Sequence, residues 1–158
     1  MNLLKKIRLL IIFFMVALIL SGVTAFPVET ELNWLLQYKS SLPDKLAAWL
    51  QSCYDAIKDT NTKYPMLAYG YDWLAFAHIM IAFAFIGVYK NPVRNKWIID
   101  WAILCCIAIL PFAFIAGPVR QIPFFHILID CCFGIIGLLP LFICRKWIKQ
   151  LAKNNLSI

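Results

Sequence analysis

Four long apolar runs punctuate the chain, at residues 9–26, 73–89, 97–116 and 122–144. Each approaches or exceeds the roughly 20 residues that carry a helix across a hydrocarbon core about 30 Å thick. The apolar positions are continuous and do not alternate, so the pattern predicts spanning helices and not the strands of a lipid-facing barrel. Between the first two runs, residues 27–72 change character. Leu42, Leu46, Leu50, Cys53 and Ile57 recur at helical spacing with Trp49 and Tyr54 beside them, while Asp44, Lys45, Asp55, Lys58 and Asp59 fall on the other side. That is the signature of an amphipathic helix. Ser41-Leu42-Pro43-Asp44 ahead of it has the form of a capping box with Asp in the last place. A shorter helix carrying Leu32, Leu35 and Leu36 is expected before that. Residues 59–63 read as a polar linker, and 65–70 as the lead into the second span.

A segment of about 45 residues builds little core of its own. It is therefore expected to lie on the membrane surface or to cap the spans. Asn91-Pro92 marks a turn between the second and third runs, and residues 117–121 an equally tight one between the third and fourth. The pattern predicts an all-α protein with one membrane domain over residues 1–158. Its architecture would be an integral membrane four-helix bundle, with an amphipathic outer helical segment between spans one and two.

Composition strengthens this picture. Apolar residues make up 63% of the 158 positions and charged residues 15%, against about half and a quarter in soluble domains. Disorder and an ordinary soluble enzyme are excluded, and the principal solvent is lipid. The net charge of +7 is concentrated beside the runs. Lys5, Lys6, Arg8, Lys90, Arg94, Lys96, Arg145, Lys146, Lys149 and Lys153 fall on one side of the threading, and Lys39, Lys45, Lys58, Lys63 and Arg120 on the other. Because Lys and Arg are retained on the cytoplasmic side, both termini and the 90–96 loop are expected inside, and residues 27–72 and the 117–121 turn outside. Trp73, Trp97 and Trp147 at run ends fit an aromatic belt. Basic clusters placed as membrane anchors need no nucleic acid to explain them. The chain reads as a multi-pass protein of a cell membrane, taken as a bacterial inner membrane, with lipid as its partner and another membrane protein or a second copy as further candidates.

The first run also resembles a signal peptide, with Val23-Thr24-Ala25 at a cleavable position. Its length favours an uncleaved anchor, with cleavage after Ala25 as the alternative. Of the cysteines at 53, 105, 106, 131, 132 and 144, only Cys53 lies in the polar segment, and no Cys-x-x-Cys occurs. This excludes a disulfide framework. The 105–106 and 131–132 doublets read as small apolar residues, since neighbours on a helix point about 100° apart and at most one of each doublet can face the other.

Candidate chemistry rests on ionisable groups inside the runs, where they are costly and by default mark function. Asp130 lies about 12 Å into the last run at 1.5 Å per residue, with His126 one helical turn before it. Gly134 and Gly137 follow on nearly the same stripe, as expected of a face that meets another helix. His78, about 8 Å into the second run, is at nearly the depth of His126, and Asp72 and Arg120 sit just above. Lys96 and Asp100 have the spacing of an ion pair on one helix face and are read as structural.

The sequence thus suggests a polar pocket near the outer face, built from His78, His126 and Asp130 with Arg120 and Asp72 as further binding or proton-relay candidates. It would belong to a small accessory or small-ligand-binding membrane protein. Two alternatives stand beside it: a redox carrier in which the histidines ligate haem b or hydrogen-bond a quinone, and a proton- or ion-coupled transport component using Asp130 and His126. No metal site is specified. The chain lacks Gly-x-Ser-x-Gly, His-Glu-x-x-His and the phosphate-binding loop, so no recognisable enzyme class is indicated.

Overall fold

The computed structural model describes residues 2–156, and among these every regular element is helical. In chain order they are α1 (Leu3–Ala25), α2 (Val28–Leu36), a short 3₁₀ turn at Lys39–Ser41, α3 (Asp44–Lys63), α4 (Pro65–Lys90), α5 (Lys96–Val119) and α6 (Phe124–Leu156). Four helices, α1, α4, α5 and α6, are long and apolar enough to cross a membrane. Most of the surface they present is apolar, including Phe13, Leu74, Leu104, Phe112, Phe133 and Leu139. Such a surface is stable in lipid and not in water.

The helices outrun their apolar stretches, α4 and α6 the furthest. α4 starts at Pro65 and α6 continues to Leu156. A spanning helix has no reason to stop at the edge of the hydrocarbon, because its hydrogen bonds are satisfied within the segment in either solvent. The expected linker at 59–63 is also helical. α3 ends at Lys63, and Tyr64 alone separates it from α4, whose first residue, Pro65, is pre-set for N1. The capping box does not form. Pro43 precedes α3 with extended backbone and no side-chain cap, while Asp44 in the first turn faces the positive end of the helix dipole.

The described chain divides into two compact units, Met1–Phe14 with Ala84–Ile158, and Met15–Phe83. The first holds the largest fully buried side chains: Ile7 and Ile11 of α1, Phe85 and Val88 of α4, Ile99 of α5, and Leu141, Cys144 and Ile148 of α6. Phe14 stacks on Phe85 with ring centroids 5.8 Å apart. Arg8 Nε donates to the Tyr89 carbonyl at 3.2 Å, and the Lys6 ammonium lies 5.9 Å from the centre of the Trp147 ring. Asn95 closes the α4–α5 turn by donating to the Gly87 carbonyl at 2.8 Å.

α5 and α6 pack closely. A Cβ on Gly134 would stand 2.7 Å from the Cys106 carbonyl oxygen, and one on Gly117 would stand 2.5 Å from Ile127. The turn between these helices is a Schellman motif. Ile122 N–H donates to Gly117 O at 2.9 Å and Gln121 N–H to Pro118 O at 3.1 Å, with Gln121 at φ 56°.

In the second unit α1 and α4 meet at Gly22, where a Cβ would stand 2.6 Å from the Ala75 carbonyl oxygen and 3.3 Å from His78 Cβ. α2 packs on α3. On α3, Leu46, Trp49, Leu50, Cys53, Tyr54 and Ile57 are half-buried, while Asp44, Lys45, Asp55, Lys58 and Asp59 are exposed. The exposed side is tied along the helix by Gln51–Asp55 and Lys63–Asp59 contacts at 3.1 and 2.8 Å. Asn61 donates to Glu29 of α2 and accepts from the Tyr71 hydroxyl of α4, joining three helices.

Candidate functional site

Polar side chains collect at three places. The first lies in α6, where the helical repeat sets His126 one turn before Asp130. His126 Nε2 and Asp130 Oδ1 are 3.9 Å apart, a charge-pair distance that is too long for a direct hydrogen bond. The two side chains keep 40% and 48% of their exposure. In lipid, that leaves the carboxyl about half uncovered by this chain. The stripe beside it is different: Ile127, Cys131 and Gly134 are buried, and Ala113, Ile127 and Cys131 form one apolar cluster. Gly134 therefore opens the α5–α6 contact, and Asp130 stands at the margin of that contact. Arg120 is exposed at the turn, and among the described residues it forms no ion pair with Asp130.

The second is centred on Asp100. Its Oδ1 accepts from Arg145 Nε of α6 at 2.6 Å, and Lys96 of its own helix holds Oδ2. All three side chains are about one-third exposed. Asp100 thus ties α5 to α6 as well as pairing along α5. Sequence spacing finds Lys96 but not Arg145, which is 45 residues away. The available signal was Arg145, the first of the basic residues after the fourth run, at a place where an antiparallel helix returns to the depth of Asp100.

The third lies at the start of α4. Phe26, Tyr69, Asp72, Trp73 and Phe76 border a shallow, widely open hollow of about 250 Å³ whose lining is almost wholly apolar. Tyr69, Trp73 and Phe76 follow the helical repeat and meet edge to face, with successive centroids 5.9 Å apart. His78, further along α4, donates from Nδ1 to the Leu74 carbonyl at 3.0 Å, which leaves Nε2 of the neutral ring as acceptor or ligating atom. Asp72 and His78 belong to one compact unit, and His126, Asp130 and Arg120 to the other. The aromatic lining escapes sequence reasoning because Trp73 reads there as an interfacial belt residue and Tyr69 as part of the lead into the second span.

The cysteines are all free thiols. Cys106 and Cys131 are turned inward, whereas Cys105 and Cys132 are exposed, as the angular offset of helical neighbours requires. Burial raises the Cys53 thiol above its ordinary range, which keeps it protonated at neutral pH. Among the described residues no group of three or more His, Cys, Asp or Glu side chains converges to hold a metal ion. Comparison with family models, with curated proteins and with solved structures finds no match to this chain.

Proposed function

We propose that this chain is a small multi-pass integral membrane protein, of accessory or small-ligand-binding type, whose working chemistry is the His126–Asp130 pair. The basic residues favour threading with both termini and the 90–96 loop in the cytoplasm, which puts Asp130 in the outer half of the bilayer.

The observation that carries the reading is the carboxyl of Asp130, half uncovered in a span with an imidazole at 3.9 Å. An ionised carboxylate at such a depth costs about 2.5–3.5 kcal/mol on insertion scales. A carboxyl and an imidazole one helical turn apart are an acid and a base at a spacing that a water or a small polar ligand could bridge. Such a couple suits a proton relay or the binding of a small polar ligand.

Infrared difference spectra of the protein in bilayers, taken across the physiological pH range, test the reading. A protonated-carboxyl band is expected that disappears in Asp130→Asn and titrates differently in His126→Ala. A carboxyl that shows no titration, or one indifferent to His126, contradicts it.

A further inference from the structure

One face of α6 changes character along its length. Past Asp130 the helix carries no acidic residue, and Arg145, Lys146, Lys149 and Lys153 follow its apolar run. Within that run Ile135, Leu139 and Phe142 are 51%, 67% and 47% exposed. Lys146, Lys149 and Lys153 are exposed as well. These six residues are separated by steps of four, three, four, three and four, so a helix of 3.6 residues per turn lays them along one stripe. The opposite side is packed. Leu141, Cys144 and Ile148 are fully buried, and Arg145 is turned to Asp100 of α5. An apolar, lipid-facing stripe therefore runs straight into a lysine ladder about 10 Å long at 1.5 Å per residue.

Like charges one turn apart on a helix repel, and among the described residues none of the three lysines forms an ion pair. Asp100 is already held by Lys96 and Arg145. The counter-charge of the ladder therefore comes from outside the chain, and the register of the stripe selects its source. A soluble acidic protein or a nucleic acid would meet the lysines but not the apolar residues in line with them. A phospholipid meets both. Its acyl chains lie along Ile135, Leu139 and Phe142, and its phosphate reaches the ammonium groups, which lysine carries on a flexible alkyl stem. The headgroup layer adds about 5–7 Å to each side of the hydrocarbon, so most of the ladder lies within reach of it. A zwitterionic lipid brings its own cation beside the phosphate, whereas an acidic lipid leaves its charge to be met by lysine. We propose that this stripe of α6 binds an acidic phospholipid, with Lys146, Lys149 and Lys153 holding the headgroup.

Native mass spectrometry of the full chain in detergent, titrated with phosphatidylglycerol or phosphatidylcholine of matched acyl chains, tests the proposal. Phosphatidylglycerol is expected to bind about fivefold or more tightly than phosphatidylcholine, since one lysine near an anionic headgroup already contributes about that factor. The combined Lys146→Gln, Lys149→Gln and Lys153→Gln variant is expected to bring the two lipids within about twofold of each other. Replacing the same three residues by Arg keeps the charge and should keep the preference. A control variant, Lys39→Gln with Lys45→Gln and Lys58→Gln, removes three exposed lysines from the 27–72 segment and should also keep it. Glycerophosphoglycerol, the headgroup without its chains, is expected to leave bound phosphatidylglycerol in place at equimolar concentration. Equal affinity of the unaltered protein for the two lipids, a Gln variant of α6 that keeps the preference, a control variant that loses it, or displacement by the free headgroup would each overturn the proposal.

Discussion

Asp100 shows how a single side chain divides its work between local and distant partners. Lys96 is one turn away and would be near it in any α-helix, so their contact says little about the fold. Arg145 is brought there only when α6 returns beside α5, and its Nε–Oδ1 distance of 2.6 Å is a tertiary interaction. An exposed pair contributes about 0–1 kcal/mol, and breaking a buried one costs about 3–5. With a third of each side chain exposed, Arg145→Ala is expected to cost about 1–2 kcal/mol in reversible unfolding in a mild detergent. In an Asp100→Asn background the same change should cost much less. Equal costs in both backgrounds would show that the contact contributes nothing. At this scale the sequence was most legible within one helix, as for Lys96 with Asp100, and least where a partner comes from another helix, as with Arg145. The Phe26, Tyr69 and Phe76 rings were illegible for another reason. Aromatic residues near a membrane boundary have a sufficient explanation in the interface itself.

Elements were legible because lipid removes the usual competition between helix, strand and loop. Their ends were not, since apolar character ends with the hydrocarbon and the helix does not. Extension of α4 to Pro65 and of α6 to Leu156 follows from that distinction. The stripe of α3 was readable to the residue, while its cap was misjudged because Pro43 can start a helix without the Ser41 hydroxyl.

Two predictions belong to elements. Gly22→Ala would set a methyl 2.6 Å from a backbone oxygen of α4, so the helices must separate, at about 1–3 kcal/mol. Gly70→Ala meets nothing within 4 Å and should be neutral or stabilising by up to about 1 kcal/mol through helix propensity. Thermal unfolding of the two variants side by side checks both. The second concerns the Schellman turn. Gln121 is exposed and adopts φ 56°, where an L side chain is strained and glycine is not. Gln121→Gly is expected to stabilise the protein by about 0.5–1 kcal/mol, and a destabilised variant would show that the Gln121 side chain makes a compensating contact.

At the scale of the whole molecule, charge and burial fall together. The largest fully buried side chains, from Ile7 to Ile148, lie in the unit that contains Lys5, Lys6, Lys90, Lys96 and the basic end of α6. Ile7 and Ile11 belong to α1, whose apolar run also resembles a signal peptide. Cleavage after Ala25 would remove both from that core.

The proposed orientation rests on ten basic residues in the termini and the 90–96 loop against five in residues 27–72 and the 117–121 turn. Labelling intact cells with a membrane-impermeant maleimide tests it directly, using Thr62→Cys in α3 and Val93→Cys in the α4–α5 turn, each introduced into a cysteine-free chain. Thr62→Cys is expected to react in intact cells, and Val93→Cys only after the membrane is permeabilised. Labelling of Val93→Cys from outside, or protection of Thr62→Cys until permeabilisation, would contradict the account.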